Sequence, residues 1–174
     1  MGIGVNEFIA NFEHGGYRPN LFKVSIASPF MVNATKSSYL CKSTSLPPSN
    51  LGLADVSYMG RKIKIAGDKE FPSWTTDFYE DNDMVNRKSF EYWLSKISAH
   101  EANTGYIKPS EYYATIVLDL LSHETGNPVR TYKLINAFPT EVGELALAYD
   151  SNDTIGEFSV TWEFNYWTVN DIDI

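Results

Sequence analysis

Residues 158–166 read FSVTWEFNY, a run in which every second side chain is apolar. Phe158, Val160, Trp162, Phe164 and Tyr166 alternate with polar residues. A period of two is typical of a β-strand that has one face in a core and the other in solvent. The run therefore predicts an amphipathic strand near the C-terminal end of the sequence.

Further strand signals recur along the chain, with turn residues spaced by about 8–12 positions. They cover residues 21–26, 39–46, 61–65, 74–79, 112–121, 129–137 and 145–149. A helix is predicted over Asp83–Ala99, because four apolar residues there share one helical face: Phe90, Trp93, Leu94 and Ile97. These patterns predict a mainly β fold, an antiparallel sandwich or barrel with one added helix.

The chain shows neither a repeat nor a linker, so a single domain over residues 1–174 is predicted. Helical spacing of apolar residues in the first dozen positions, followed by Gly15–Gly16, predicts an N-terminal helical segment within residues 1–16: Val5, Phe8, Ile9 and Phe12. Pro48–Gly60 has little periodicity and is predicted to be a long loop.

Composition excludes several classes of protein. The 174 residues carry a net charge of −8, which disfavours a dedicated nucleic-acid-binding module. Cys41 is the single cysteine, so neither an internal disulfide nor a zinc site with two thiolates can form, and a small buried side chain is expected there. No apolar run approaches the ~20 residues of a membrane span. Because no signal peptide is recognised either, synthesis in a cytoplasm is expected.

No catalytic, cofactor-binding or metal-binding residues are predicted. Phosphate-binding and nucleophile motifs are missing, and the histidines His14, His100 and His123 are scattered. The acidic run 80–83 is interpreted as the start of a helix, and residues 150–154 depart from a calcium loop. A binding or structural protein is therefore favoured over an enzyme.

Two alternatives remain open on the residues alone. The first is a carbohydrate-binding β-sandwich that displays aromatic side chains, although such side chains are more often core: Trp74, Phe78, Tyr79, Trp162 and Trp167. The second is a small hydrolase whose carboxylates are brought together only by the fold.

An ordered set of segments carries a resemblance that spans nearly the whole chain. The segments are RPNLF (18–22), CKSTSLP (41–47), GRKIKIAGD (60–68), WT (74–75), PTEVGEL (139–145) and DSN (150–152). Together they resemble the tail tube protein of contractile-tailed bacteriophages, with the type VI secretion tube protein as a more distant relative. The sequence departs from the pattern at Phe30–Lys36 and after Trp167.

The resemblance implies two packed antiparallel sheets with one flanking helix. Inner strands of each subunit would join a shared hexameric β-barrel, and the rings would stack into a tube inside a contractile sheath. The implied partners are other copies of the chain, the tail sheath, baseplate and tail terminator proteins. The tape measure protein and transiting DNA would occupy the lumen, without specific nucleic-acid binding. The implied location is the virion tail, assembled in the host cytoplasm.

The resemblance also implies that the loop after the second strand reaches the neighbouring ring. Its apolar side chains are therefore predicted to form the ring-stacking contact: Leu51, Leu53, Val56, Tyr58 and Met59. If the strand Arg61–Ile65 faces inward with Ile63 and Ile65 buried, Lys62 and Lys64 line the channel.

Overall fold

The computed structural model describes residues 4–11, 16–99, 101 and 104–170. The helices are α1 (Val5–Ala10), α2 (Ala34–Leu40) and α3 (Val85–Ile97), and one turn of 3-10 helix spans Pro109–Glu111. The strands are β1 (Phe22–Ala27), β2 (Cys41–Thr44), β3 (Asn50–Tyr58), β4 (Arg61–Glu70), β5 (Trp74–Tyr79), β6 (Ala114–Leu121), β7 (Pro128–Val142), β8 (Glu157–Glu163) and β9 (Tyr166–Val169). Among these ranges, no helix combines the length and apolar character that a membrane span requires.

Two antiparallel sheets share strand β7. The first sheet has the order β1–β6–β7–β9, and the second has the order β7–β8–β5–β2. The first part of β7 pairs with β6 and β9, and its last part, from Phe138, pairs with β8. Asn136 adopts a left-handed φ of 58° where β7 passes from one sheet to the other. The arrangement confirms the predicted mainly β class, although the described strands of a single chain do not close into a barrel.

An aromatic cluster between the second sheet and α3 forms the centre of the core. Phe158, Val160 and Trp162 of β8 are buried, as their alternation predicts. Phe90 and Trp93 of α3 each place their ring centroid 5.7 Å from the Trp162 ring. The predicted helix and its apolar face are therefore confirmed.

All four tryptophans make a hydrogen bond through the indole nitrogen. Trp74 donates to the Ser45 carbonyl at 2.6 Å, Trp162 to the Thr76 hydroxyl at 2.8 Å and Trp93 to the Tyr112 carbonyl at 3.0 Å. Trp74, Trp162 and Phe78 are also buried in the core, so these three rings cannot stack on a sugar. The aromatic pattern behind the carbohydrate-binding alternative is thus mostly a core pattern.

Helix α2 replaces part of a predicted strand. The strand expected over residues 39–46 begins only at Cys41, and α2 runs directly into it. The Asn33 side chain caps α2 by accepting a hydrogen bond from the Lys36 amide at 3.0 Å. The buried Ser37 hydroxyl donates to Asn86 of α3 at 2.6 Å. A tertiary contact therefore stabilises a helix that is too short to form alone.

A second strand prediction is also wrong. Residues 145–149 alternate in sequence but form no strand, and they belong to an irregular connection between β7 and β8. Leu147 and Tyr149 are exposed there, so no burial holds the alternation in a sheet.

The acidic run before α3 does lie at the helix start, as interpreted. A Glu80 carboxylate oxygen accepts from the Arg87 amide at 2.8 Å, and an Asp83 carboxylate oxygen accepts from the Val85 amide at 3.2 Å. The carboxylates of Glu80 and Asp83 thus satisfy backbone donors of the first helical turn.

Cys41 of β2 is half-buried, and burial raises the pKa of its thiol to about 12.

Candidate assembly surfaces

Strands β3 and β4 form a hairpin that pairs with no other described strand. Tyr58 faces Arg61, which leaves only Met59 and Gly60 in the turn. Their φ angles are 46° and 77°, so both residues are left-handed, as a type I′ hairpin turn requires. The prediction of a loop over Pro48–Gly60 is therefore wrong, since residues 50–58 are a nine-residue strand.

The sequence pattern does not predict this strand, because the subunit buries none of its residues. Every residue of β3 and β4 is exposed, so no core selects an alternating pattern. Gly67 and Asp68 form a bulge within β4, opposite Gly52. A Cβ atom on Gly67 would lie 3.1 Å from the backbone of Gly52, so the two strands approach closely at the bulge.

The predicted stacking residues lie in one hairpin but on two of its faces. Alternation along β3 places Val56 and Tyr58 on one face and Leu51 and Leu53 on the other, while Met59 occupies the turn. We call the first side the apolar face; it contains Ala54, Val56, Tyr58, Ile63 and Ile65, with Arg61 beside Tyr58 at the tip.

We call the other side the mixed face. It contains Leu51, Leu53, Asp55, Ser57, Lys62, Lys64 and Ala66. The Lys62 ammonium lies 4.0 Å from the Asp55 carboxylate. Lys62 and Lys64 do lie on the opposite face of β4 from Ile63 and Ile65. Both isoleucines are 52% exposed, however, so their expected burial is not met within the subunit.

The base of the hairpin is anchored to the sandwich. The Trp167 indole nitrogen donates to the Pro48 carbonyl at 3.1 Å. The Lys69 ammonium lies 5.3 Å from the Phe71 ring centroid and 5.6 Å from that of Trp167. These contacts fix where the hairpin leaves the sandwich, and no other strand among the described residues pairs with its tip. The anchor could not be read from the sequence, because Trp167 and Pro48 are distant along the chain.

Helix α1 presents a second apolar surface. Val5, Phe8 and Ile9 are exposed, although their helical spacing is that of a buried face. The fourth residue of that predicted face, Phe12, lies outside the described residues. A helix of six residues is marginal in water and depends on packing for its stability.

The histidines and acidic side chains in the described part of the chain form no candidate metal site. Across residues 4–11, 16–99, 101 and 104–170, no three or more His, Cys, Asp or Glu side chains are grouped as metal ligands. His14 and His100 lie outside the described residues, and His123 lines a cavity of about 640 Å³ beside Tyr17 and Leu121. The exposed apolar side chains of the hairpin and of α1 are suited to contacts with other proteins.

Comparisons with known proteins agree with this geometry. A family model described as phage tail tube protein matches residues 5–170. The tail tube protein gp19 of Enterobacteria phage T4 is 36% identical over 94% of this chain and 98% of that relative.

Solved structures share the fold at low sequence identity. One is a chain of the PVC sheath–tube complex in the extended state, from an extracellular contractile injection system. It has a TM-score of 0.63 at 16% identity, over 97% of this chain and 99% of that chain. A type six secretion system protein has a TM-score of 0.50 at 10% identity, over 85% and 82% of the two chains. With a family match over nearly its whole length and a relative above one-third identity, the chain belongs to the phage tail tube protein family.

Proposed function

We propose that this chain is the structural subunit of the inner tube of a contractile phage tail, built from stacked hexameric rings that conduct DNA into the host cell. One observation carries the proposal: every residue of the β3–β4 hairpin is exposed, and no described strand outside the hairpin pairs with it. An isolated two-stranded hairpin is marginal in water, and its apolar face would be a liability on a monomer. Contact with another subunit removes both problems.

Ring closure uses the open edges of the two sheets. β1 and β9 border the first sheet and β2 borders the second, and each has one side without a strand partner among the described residues. Open edges promote uncontrolled association unless they are covered. Pairing each edge with the next subunit in a closed ring satisfies the backbone groups and ends growth in that direction.

The hairpin connects one ring to the next. It rises over nine residues, or about 30 Å at the usual strand spacing, which is enough to reach well beyond its own subunit. Leu51, Leu53, Val56, Tyr58 and Met59 remain the proposed ring-stacking residues, now divided between the two faces and the turn. Lys62 and Lys64 remain proposed lumen-facing residues, on the mixed face and at the tip of the hairpin, where one ring meets the next.

The surroundings of the tube follow from the relatives. Solved structures of similar fold come from a sheath–tube complex, a baseplate and a sheath–tube terminator. We propose the corresponding sheath, baseplate and terminator proteins as partners, with tape measure protein and DNA in the lumen. The net charge of −8 is compatible with a conduit, because a subunit that attracted phosphate strongly would retain DNA in transit. The role is structural rather than enzymatic, and assembly takes place in the host cytoplasm before the tube becomes part of the virion.

Electron microscopy of the purified protein tests the proposal. We expect hexameric rings and stacked tubes at high protein concentration or with tail-initiation proteins present. Glycan arrays and turnover of glycosides should give no signal. Monomers alone under both assembly conditions, or specific glycan binding, would contradict the proposal.

A further inference from the structure

The segment that joins β7 to β8, which we call the acidic loop (residues 143–156), combines negative charge with exposed apolar side chains. Glu144, Asp150 and Asp153 give it a charge of −3, and it has no Lys, Arg or His. Among the described residues, none of the three carboxylates has a salt-bridge partner. Leu147 and Tyr149 are fully or almost fully exposed. Such a surface suits a basic, apolar partner.

The acidic loop is held at both ends. The Gly143 amide donates to the Ser159 carbonyl at 2.7 Å, and the Gly143 carbonyl accepts from the Arg87 guanidinium at 2.9 Å. At the other end, the Gly156 carbonyl accepts from the Glu80 amide at 2.9 Å. The middle of the loop lines an open cavity of about 320 Å³. The loop therefore presents a preformed surface rather than a free tail.

The hairpin tip has the complementary character. Residues 54–66 contain Arg61, Lys62 and Lys64 against the single acid Asp55, a charge of +2 in a chain whose total is −8. Neither Arg61 nor Lys64 has a salt-bridge partner among the described residues. The same segment carries the apolar face, which leaves Val56 and Ile63 exposed. Charge and apolar area thus match between tip and loop.

The topology places the two surfaces at opposite ends of the second sheet. After the hairpin, the chain continues into β5, which begins at Trp74; Trp74 pairs with Trp162 near the end of β8. After the acidic loop, the chain continues into β8, which begins at Glu157; Glu157 pairs with Tyr79 at the other end of β5. Trp74 and Tyr79 are about 17 Å apart at the usual strand rise. Rings that stack head to tail bring one end of a subunit against the opposite end of the next.

We propose that the acidic loop is the receptor for the hairpin tip of a second copy of this chain in the adjacent ring. The proposal rests on the stacked-ring function above and names the surface that receives the hairpin. The α1 face is a weaker candidate, because Val5, Phe8 and Ile9 offer apolar area without the charge that would match Arg61 and Lys64.

Charge reversal with a matched control tests the pairing. The hairpin variant K62E/K64E and the loop variant D150K/D153K should each reduce the number of stacked rings at least about tenfold, because like charges then face each other. The control K88E/K108E changes the net charge as much as K62E/K64E does, at exposed lysines outside both surfaces, and should assemble as the wild type does.

Combining the variants separates complementarity from net charge. The chain that carries K62E/K64E and D150K/D153K restores both the net charge and opposite signs, so we expect tubes again. The combination of K88E/K108E with D150K/D153K restores only the net charge and should remain defective. Normal tubes from both the hairpin and the loop variant would overturn the pairing and leave the tube function intact. A wild type that forms neither rings nor tubes under any assembly condition would overturn the tube function itself.

Chemical cross-linking provides a readout that does not depend on the charge variants folding. We expect a short bis-maleimide to join Y58C and L147C subunits into covalent dimers when the two are mixed, whereas each variant alone gives none. The native Cys41 is half-buried, with a thiol pKa raised by burial to about 12, so it reacts little at neutral pH. Tubes visible in the mixture without cross-linked dimers would overturn the pairing.

Discussion

Strands β8 and β3 are similar in length and opposite in environment. β8 alternates buried and half-buried residues against α3, whereas all nine residues of β3 are exposed. One strand is stabilised inside the subunit, and we propose that the other is stabilised by a neighbouring subunit. On this proposal, one part of the molecule folds alone and another part is completed by assembly. Substitutions in the two parts should therefore affect different measurements.

The largest effect on folding is expected at Trp93. Its side chain is fully buried against Trp162 and Phe30, and its indole nitrogen bonds the Tyr112 carbonyl. Trp93→Ala should lower the free energy of unfolding by about 3–5 kcal/mol, because it leaves a cavity and an unpaired acceptor. Denaturant melts of the monomer measure this loss. Tyr92→Ala, at a half-exposed neighbour on α3, is the control; a loss below about 1 kcal/mol for Trp93→Ala would mean that this face is not core.

Burial decides which elements the sequence predicts. The spacing of apolar residues predicts β5, β8 and α3 correctly, because one face of each element packs in the aromatic core. Burial of that face requires apolar residues at a fixed period. β3 lacks that selection within the subunit, and Gly52 interrupts it further. Helix α2 is missed because its stability comes from the Ser37–Asn86 contact, which links residues far apart in sequence.

The candidate site is predicted in part for the same reason. Apolar residues in an otherwise polar segment point to the stacking region, because solvent loops rarely contain them. Their division between two faces could not be predicted, since it follows from strand pairing that the loop interpretation excluded. The sequence does not predict the acidic loop, because the alternation of Leu145, Leu147 and Tyr149 indicates a strand.

The next largest effect should appear on stacking rather than on folding. Val56→Ser with Ile63→Ser removes two facing side chains of the apolar face. Unfolding of the monomer should change by less than about 0.5 kcal/mol, because both residues are already exposed. Each ring-to-ring contact should lose a few kcal/mol at roughly 25 cal/mol per Å² of apolar surface. Tube length by electron microscopy and melts of the same preparation check the two statements.

The mixed face provides the matched comparison. Leu51→Ser with Leu53→Ser makes the same type of change on the opposite side of β3. If only one of the two double variants loses long tubes, the corresponding face is the buried one. Normal tubes from both would show that the hairpin is not the stacking element, and α1 would become the better candidate.

Substitutions at two turn glycines test the same difference between hairpin and sandwich, with smaller expected effects. Gly60 closes the hairpin and Gly126 closes the β6–β7 turn, with φ angles of 77° and 68°. A Cβ atom at either position meets no atom within 4 Å, so only the left-handed backbone penalises a side chain. Valine at either site should cost about 1–2 kcal/mol. Gly126→Val should lower the unfolding free energy, whereas Gly60→Val should leave melts unchanged and shorten the tubes; equal effects on melts would show that the hairpin folds cooperatively with the sandwich.

The smallest effect concerns the link between α2 and the segment before α3, which lies wholly in the self-folding part. Lys36 bridges Asp81 and Asp83, and its hydrogen bonds hold the pKa of both carboxyls below the ordinary 3.8 and raise the pKa of Lys36. Lowered acid pKa values mean that the stabilisation is complete above pH 3.8 and is lost as the pH falls through the lowered values. At the alkaline end, the raised pKa of Lys36 means that the stabilisation is complete below pH 10.5 and is lost as the pH rises through the raised value. Lys36→Met should therefore lower stability at neutral pH and approach the wild type only in strong acid, while tubes stay normal. Denaturant melts from strong acid to neutral pH measure this loss, and Lys88→Met is the control for the loss of an exposed lysine. Equal changes in stability for the two variants at every pH would contradict a stabilising bridge from Lys36 to Asp81 and Asp83.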